Sequence, residues 1–150
     1  MKIAFIYIVV IFVANSYNNL FPQHNNLQKN LNSTTKVNTQ AIILNNIEEG
    51  ILNNDIKSIS QYFTSQPYIS LINGVNGYYS SNQAYYILED FFDTYKVVQF
   101  KFEEKKTEEA VSYGKGSYFY EKKGKREKAH LYLTLSKYGS KWYITQISIN

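Results

Sequence analysis

Residues 78–95 read YYSSNQAYYILEDFFDTY, and this stretch decides the fold. Ser80 and Gln83 stand three residues apart, the spacing of a capping box. The serine hydroxyl accepts the Gln83 amide proton, and the glutamine side chain accepts from the Ser80 amide in return. Ala84, Ile87, Leu88, Phe91 and Tyr95 then trace one apolar stripe at helical period. The spacing predicts a helix from about Ser81 to Tyr95. Everything upstream is read as what leads into this helix, and everything downstream as the sheet it packs on.

Upstream, Ile43, Ile47 and Ile51 recur at every fourth position with Leu44 beside them, so a first helix turns one stripe to a core. Asn53-Asn54 breaks it. Asn54 or Asp55 can start a shorter helix carrying Ile56, Ile59 and Phe63. Pro67 closes off helical conformations and opens a strand over Tyr68–Ile72, and Asn73-Gly74 and Asn76-Gly77 both read as turns. Downstream of Val97 the period changes to two. Val98, Phe100 and Phe102 alternate with Gln99 and Lys101, and Ala110–Glu121 follows as a long strand. Gly114 and Gly116 share one face of that strand, which marks a bulge, a sharp bend or the close approach of a helix. Leu131, Leu133 and Leu135 alternate with Tyr132, Thr134 and Ser136. In the last strand Trp142 and Ile144 have one parity and Ile147 and Ile149 the other, so a β-bulge near Thr145–Gln146 is predicted.

The order is helix, helix, short strand, helix, then four strands on short turns. Strands gathered after helices indicate α+β, with the helices packed on one face of a strongly curved antiparallel sheet. This arrangement resembles the NTF2-like cone shared by nuclear transport factor 2, ketosteroid isomerase and scytalone dehydratase. More narrowly, residues 40–150 resemble DUF4783, an exported family of Bacteroidetes. The resemblance rests on IEEGILNNDIKSISQYF, the helix above with its paired Phe91-Phe92, SYGKGSYF, and the ending KWYITQISIN. It implies a cone fold and an exported compartment, and no established activity.

The N-terminus supports that compartment. Lys2 precedes an unbroken apolar run, Ile3 to Ala14, and Ala14-Asn15-Ser16 presents small residues to signal peptidase. A spanning helix needs about 20 apolar residues, so the run is too short for a stable membrane anchor. Residues 1–16 are therefore read as a signal peptide, cleaved near Ser16/Tyr17 to leave a periplasmic or secreted product. Residues 17–39, rich in Asn, Gln, Ser and Thr, read as a flexible leader, and 40–150 as the domain. The chain has no cysteine, which excludes disulfides, a lipidated cysteine and thiolate metal sites.

Net charge is +4. Glu121–Lys128, EKKGKREK, carries five basic and two acidic residues. Alternating charge of this kind keeps hairpin edges from pairing with other chains. The segment lacks the interleaved aromatics of a nucleic-acid site, so no nucleic-acid partner is expected.

Catalytic groups are scarce. His24 falls in the leader, and His130 has the parity of Tyr132, opposite the leucines, which puts it on the outer face. Glu89, Asp90 and Asp93 crowd the last turns of the long helix, where the dipole disfavours acids. Glu89 and Asp93 are thus candidates for a base beside a tyrosine, in an isomerase or dehydratase of the kind the superfamily contains. The alternative is that all three acids are solvated. No ligand spacing for a metal and no phosphate loop is present, and no cofactor is expected.

The richest signal is aromatic: 15 Tyr, 9 Phe and one Trp. The surplus either lines a cavity or covers the outer sheet face through cross-strand pairs. The first case makes the cone mouth a binding site for a small molecule, peptide or glycan, with Tyr85, Phe92, Tyr113 and Trp142 as its candidate lining. The second favours a homodimer through an outer face bearing Tyr132 and Thr134. A non-enzymatic binding domain is the leading expectation.

Overall fold

Ser80 behaves as its spacing to Gln83 requires. In the computed structural model, which describes residues 38–150, its hydroxyl accepts from the Gln83 amide at 3.3 Å, and Gln83 Oε1 accepts from the Ser80 amide at 3.0 Å. The helix so started, α3, spans Ser81–Thr94 and buries Ala84, Leu88, Phe91 and Phe92. The signal and leader assignments up to residue 37, with the cleavage point and His24, lie outside the described residues.

Two helices precede it. Asn38 caps α1 (Thr39–Leu52), whose buried stripe is Ile43, Leu44, Ile47 and Ile51. Asn54 takes a left-handed conformation, φ 53°, and Asp55 Oδ1 accepts from Ser58 N to start α2 (Ile56–Ser60). Phe63 is not on this helix as its spacing suggested. It opens strand β1 (Phe63–Leu71), which runs through Pro67 rather than starting after it. Proline is tolerated there because the β1 pairing skips from Phe63 directly to Tyr68, so the missing N–H breaks no ladder bond. Asn76-Gly77 is likewise not a second turn. With Tyr78 it forms the short edge strand β2 (Asn76–Tyr78), paired antiparallel to β1.

The remaining strands are β3 (Lys96–Thr107), β4 (Val111–Lys122), β5 (Lys125–Tyr138) and β6 (Lys141–Ile149). The sheet order is β2-β1-β6-β5-β4-β3. All neighbours are antiparallel except β1 and β6, which run parallel, a departure from the expected all-antiparallel sheet. Helix α3 carries the chain from one edge of the sheet to the other. The predicted bulge in β6 is present: Thr134 pairs Gln146 and Leu135 pairs Ile144, leaving Thr145 as the extra residue. Trp142, Ile144, Ile147 and Ile149 are all buried on one face as a result. Leu131, Leu133 and Leu135 join them beneath the helices.

Two more bulges, at Val98 and Glu103, bend β3. Gly114 and Gly116 serve that bend, and what approaches them is the neighbouring strand rather than a helix. The Phe102 ring lies over Gly114, and the Lys101 carbonyl crosses Gly116. The bent strand is latched to α1 by Glu48, whose Oε2 accepts from Phe102 N at 2.8 Å and from Lys105 Nζ at 3.0 Å. Glu48→Ala is expected to cost about 1–3 kcal/mol in urea unfolding, because the half-buried Phe102 amide loses its partner. Lys105→Met should cost less, about 1 kcal/mol, since the ion pair is partly exposed and Glu48 keeps its backbone donor. Equal losses for the two variants would refute the latch.

Candidate functional site

The space between helices and sheet, where a cone mouth would bind, is occupied by the protein's own rings. Phe91 stacks on Tyr95 at 4.6 Å between centroids, and Phe92 packs on Tyr118 at 5.8 Å. Tyr118 is fully buried and donates its hydroxyl to the Tyr95 carbonyl at 2.6 Å. Tyr95 meets Tyr120 edge-on and receives Lys122 Nζ on its hydroxyl at 2.8 Å. Phe100 and Phe102 complete the layer. Polar tips are satisfied from within, as buried aromatics require.

The four candidate lining residues do not converge. Phe92 is 2 % exposed and Trp142 6 %, both packed in the core. Tyr85 is half-buried on the flank of α3, where its hydroxyl donates to Glu89 at 3.0 Å. Tyr113 stands on the outer face of the sheet and donates to Glu104 at 2.9 Å. Its parity, opposite to Gly114 and Gly116, already carried that information. Of the two candidate bases, Glu89 lies beside a tyrosine, on the flank of α3, and Asp93 does not. Glu89 holds Tyr85, one helical turn away, and that hydrogen bond raises the Tyr85 phenol above its ordinary value and makes it a weaker acid. Asp93 is exposed and accepts from Asn54 Nδ2 at 3.3 Å. His130 is exposed, in register with Ser117. Among the described residues, no group of three or more His, Asp or Glu side chains is placed to hold a metal.

Burial acts on the interior phenols as well. It drives Tyr118 far above the ordinary phenol range, and burial together with the hydrogen bond to Glu127 pushes Tyr120 up to about 12. In the unfolded chain both ionise near pH 10. Above that pH the folded state binds more protons than the unfolded one. Stability is therefore complete below about pH 10 and falls as pH rises through about 12. Urea unfolding followed from about pH 8 to about pH 12 should show this decline, and Tyr120→Phe should make it shallower. An unchanged alkaline slope in that variant would refute the assignment.

The outer sheet face carries the rest of the aromatic surplus. Tyr113 stacks on Tyr132 with centroids 5.7 Å apart. Tyr138 lies against Tyr143 at 6.1 Å, and Tyr68 meets Tyr78 edge-on at 5.1 Å. Between the last two pairs runs an open groove of about 460 Å³. Its origin is two adjacent breaks in register. β6 bulges at Thr145, and beside it Thr64, Ser65 and Gln66 of β1 fall in the gap between the Phe63–Ile144 and Tyr68–Gln146 pairs. The Ser136 and Thr145 hydroxyls, 3.1 Å apart, line it with the Gln146 amide. Tyr78 and Tyr138, 74 % and 58 % exposed, also line it. No local sequence pattern marks this groove. Its available signal was the coincidence of Pro67 with the phase slip after Ile144, which is informative only once β1 and β6 are known to be neighbours.

The profile of DUF4783, a domain of unknown function, matches residues 44–150. No curated protein matches the chain. Among solved structures, a DUF4783 family protein from Bacteroides uniformis superposes with a TM-score of 0.64 at 14% identity, covering 71% of this chain and 94% of that one. A second, from Bacteroides ovatus, gives 0.61 at 16% identity over 69% and 90% of the two chains. An NTF2-like protein of unknown function from Shewanella oneidensis gives 0.53 at 16% identity over 73% and 93%. At these identities the likeness shows a shared NTF2-like fold.

Proposed function

The chain belongs to the DUF4783 family, and from that premise we propose that it is a non-catalytic binding module working through the outer face of its sheet. One observation carries the reading. Among the described residues the interior is packed with rings that satisfy one another, while tyrosines remain exposed or half-exposed on the opposite face. Exposed tyrosines offer broad contact area with little side-chain entropy to lose. The Lys2–Ser16 pattern supports a place of action outside the cytoplasm, in the periplasm or the medium.

Nuclear magnetic resonance of the labelled protein, with glycans, peptides and lipid vesicles added in turn, tests the reading. Shifts are expected at Tyr68, Tyr132 and Tyr143. Shifts confined to Tyr95 and Tyr118 would restore the cone mouth as the site and refute the proposal. No response to any of the three classes, from a protein that sediments as a monomer, would refute it too. A second copy of the chain is the other occupant this face supports. Tyr132 and Val111 are exposed at the Tyr113 end, and concentration-dependent sedimentation would reveal such a pair.

A further inference from the structure

We infer that the groove between Tyr78 and Tyr138 binds a neutral oligosaccharide, a reading that rests on the outer face being the binding face. The chemistry of the lining carries the argument. Every side chain that lines the groove is uncharged. Elsewhere the same sheet is charged, as in the Lys115–Glu104 ion pair beyond Tyr113. An anionic ligand would call for a cation in the lining. An extended peptide would call for a free strand edge or for apolar pockets. The groove crosses the face of β2, β1, β6 and β5 rather than following the free edge of β2, and hydroxyls and amides line it with the tyrosines.

Sugars match that inventory. Each sugar hydroxyl both donates and accepts, as do the hydroxyls of Ser136 and Thr145 and the amides of Gln66 and Gln146. The C–H faces of a pyranose ring are apolar and stack on aromatic faces, which Tyr78 and Tyr138 present. Both rings are braced. Tyr78 rests on Tyr68, whose hydroxyl is tied to Asn76, and Tyr138 leans on Tyr143. Bracing before the ligand arrives reduces the ordering cost of binding. The volume of about 460 Å³ falls within the range of about 300–1,000 Å³ usual for ligand sites.

The test is calorimetric titration of the purified protein with four neutral probes: cellohexaose, maltohexaose, mannohexaose and hexa-N-acetylchitohexaose. At least one is expected to bind with a micromolar to millimolar Kd. Tyr78→Ala and Tyr138→Ala should each weaken it by about tenfold or more. Tyr86→Ala, exposed on α3, should leave it unchanged. All three side chains are solvent-facing, so the variants should keep their unfolding transitions, and circular dichroism checks that they do. Polygalacturonate, an anionic glycan, should not compete. The assignment is overturned if none of the four probes binds at millimolar concentration, or if binding survives both tyrosine replacements. Should peptides or self-association perturb the outer face while the glycans do not, the glycan assignment falls and the outer-face reading stands. If every perturbation maps to the interior, both fall.

Discussion

Gly116→Ala is expected to remove a large share of the stability of the domain. A Cβ on Gly116 would collide with the Lys101 carbonyl oxygen and sit 3.0 Å from the Phe102 Cα. Those atoms are backbone, held by the β3–β4 ladder and by the Glu48 latch, so relief requires moving a strand. Overpacking of this kind costs about 1–3 kcal/mol where side chains can yield, and more where they cannot. We expect about 4 kcal/mol, against a total of about 5–15 for a domain. Gly114→Ala meets the Phe102 ring at 2.7 Å. That ring can shift, so the loss should be smaller. Gly124→Ala meets nothing within 4 Å but has φ +74°, and should cost about 1–2 kcal/mol from backbone conformation alone. Urea unfolding of the three variants should rank them 116, 114, 124. A Gly116→Ala protein as stable as the parent would refute the strand crossing.

Tyr118→Ala should be comparably damaging for a different reason. Tyr118 is fully buried and lies in contact range of the Phe91, Phe92, Phe100 and Tyr120 rings. Truncating a buried aromatic costs about 3–5 kcal/mol, transfer and cavity together. The Tyr95 carbonyl also loses its donor. Tyr118→Phe separates the two effects. It keeps the ring and removes only the hydroxyl, so the expected loss is about 1–2 kcal/mol. Calorimetric unfolding enthalpies of both variants check the difference. If the phenylalanine variant is as destabilised as the alanine one, the hydroxyl and not the ring holds the layer.

Local chemistry made α3 legible, because both partners of its cap lie within one turn of sequence. The β6 bulge was legible for a similar reason: its phase slip is written in four residues of one strand. Phe63 and Asn76-Gly77 were misread because strand pairing decided against local propensity. Phe63 begins β1 because its partner is Ile144, and Gly77 sits in a strand because its partner is Ile69. Phe92 looked available beside Phe91, yet α3 is covered over a wide enough arc to bury both. The groove was illegible on the same grounds as β1. It arises where two irregular strands, far apart in sequence, lie side by side.

The place of β6 has a consequence for how this protein is made. It follows all the other described strands along the chain, yet it lies inside the sheet, joining β1-β2 on one side to β5-β4-β3 on the other. A nascent chain emerging N-terminus first can form the β1-β2 pair and the three-strand meander, but it holds them apart. Until residues 141–149 arrive, Ile69 and Leu71 face no β6, and the leucine row of β5 has an open edge. Such sequence-distant closure is slow and leaves sticky edges waiting. Synthesis stalled before Lys141 would yield two unmated halves, a natural target for chaperones and proteases.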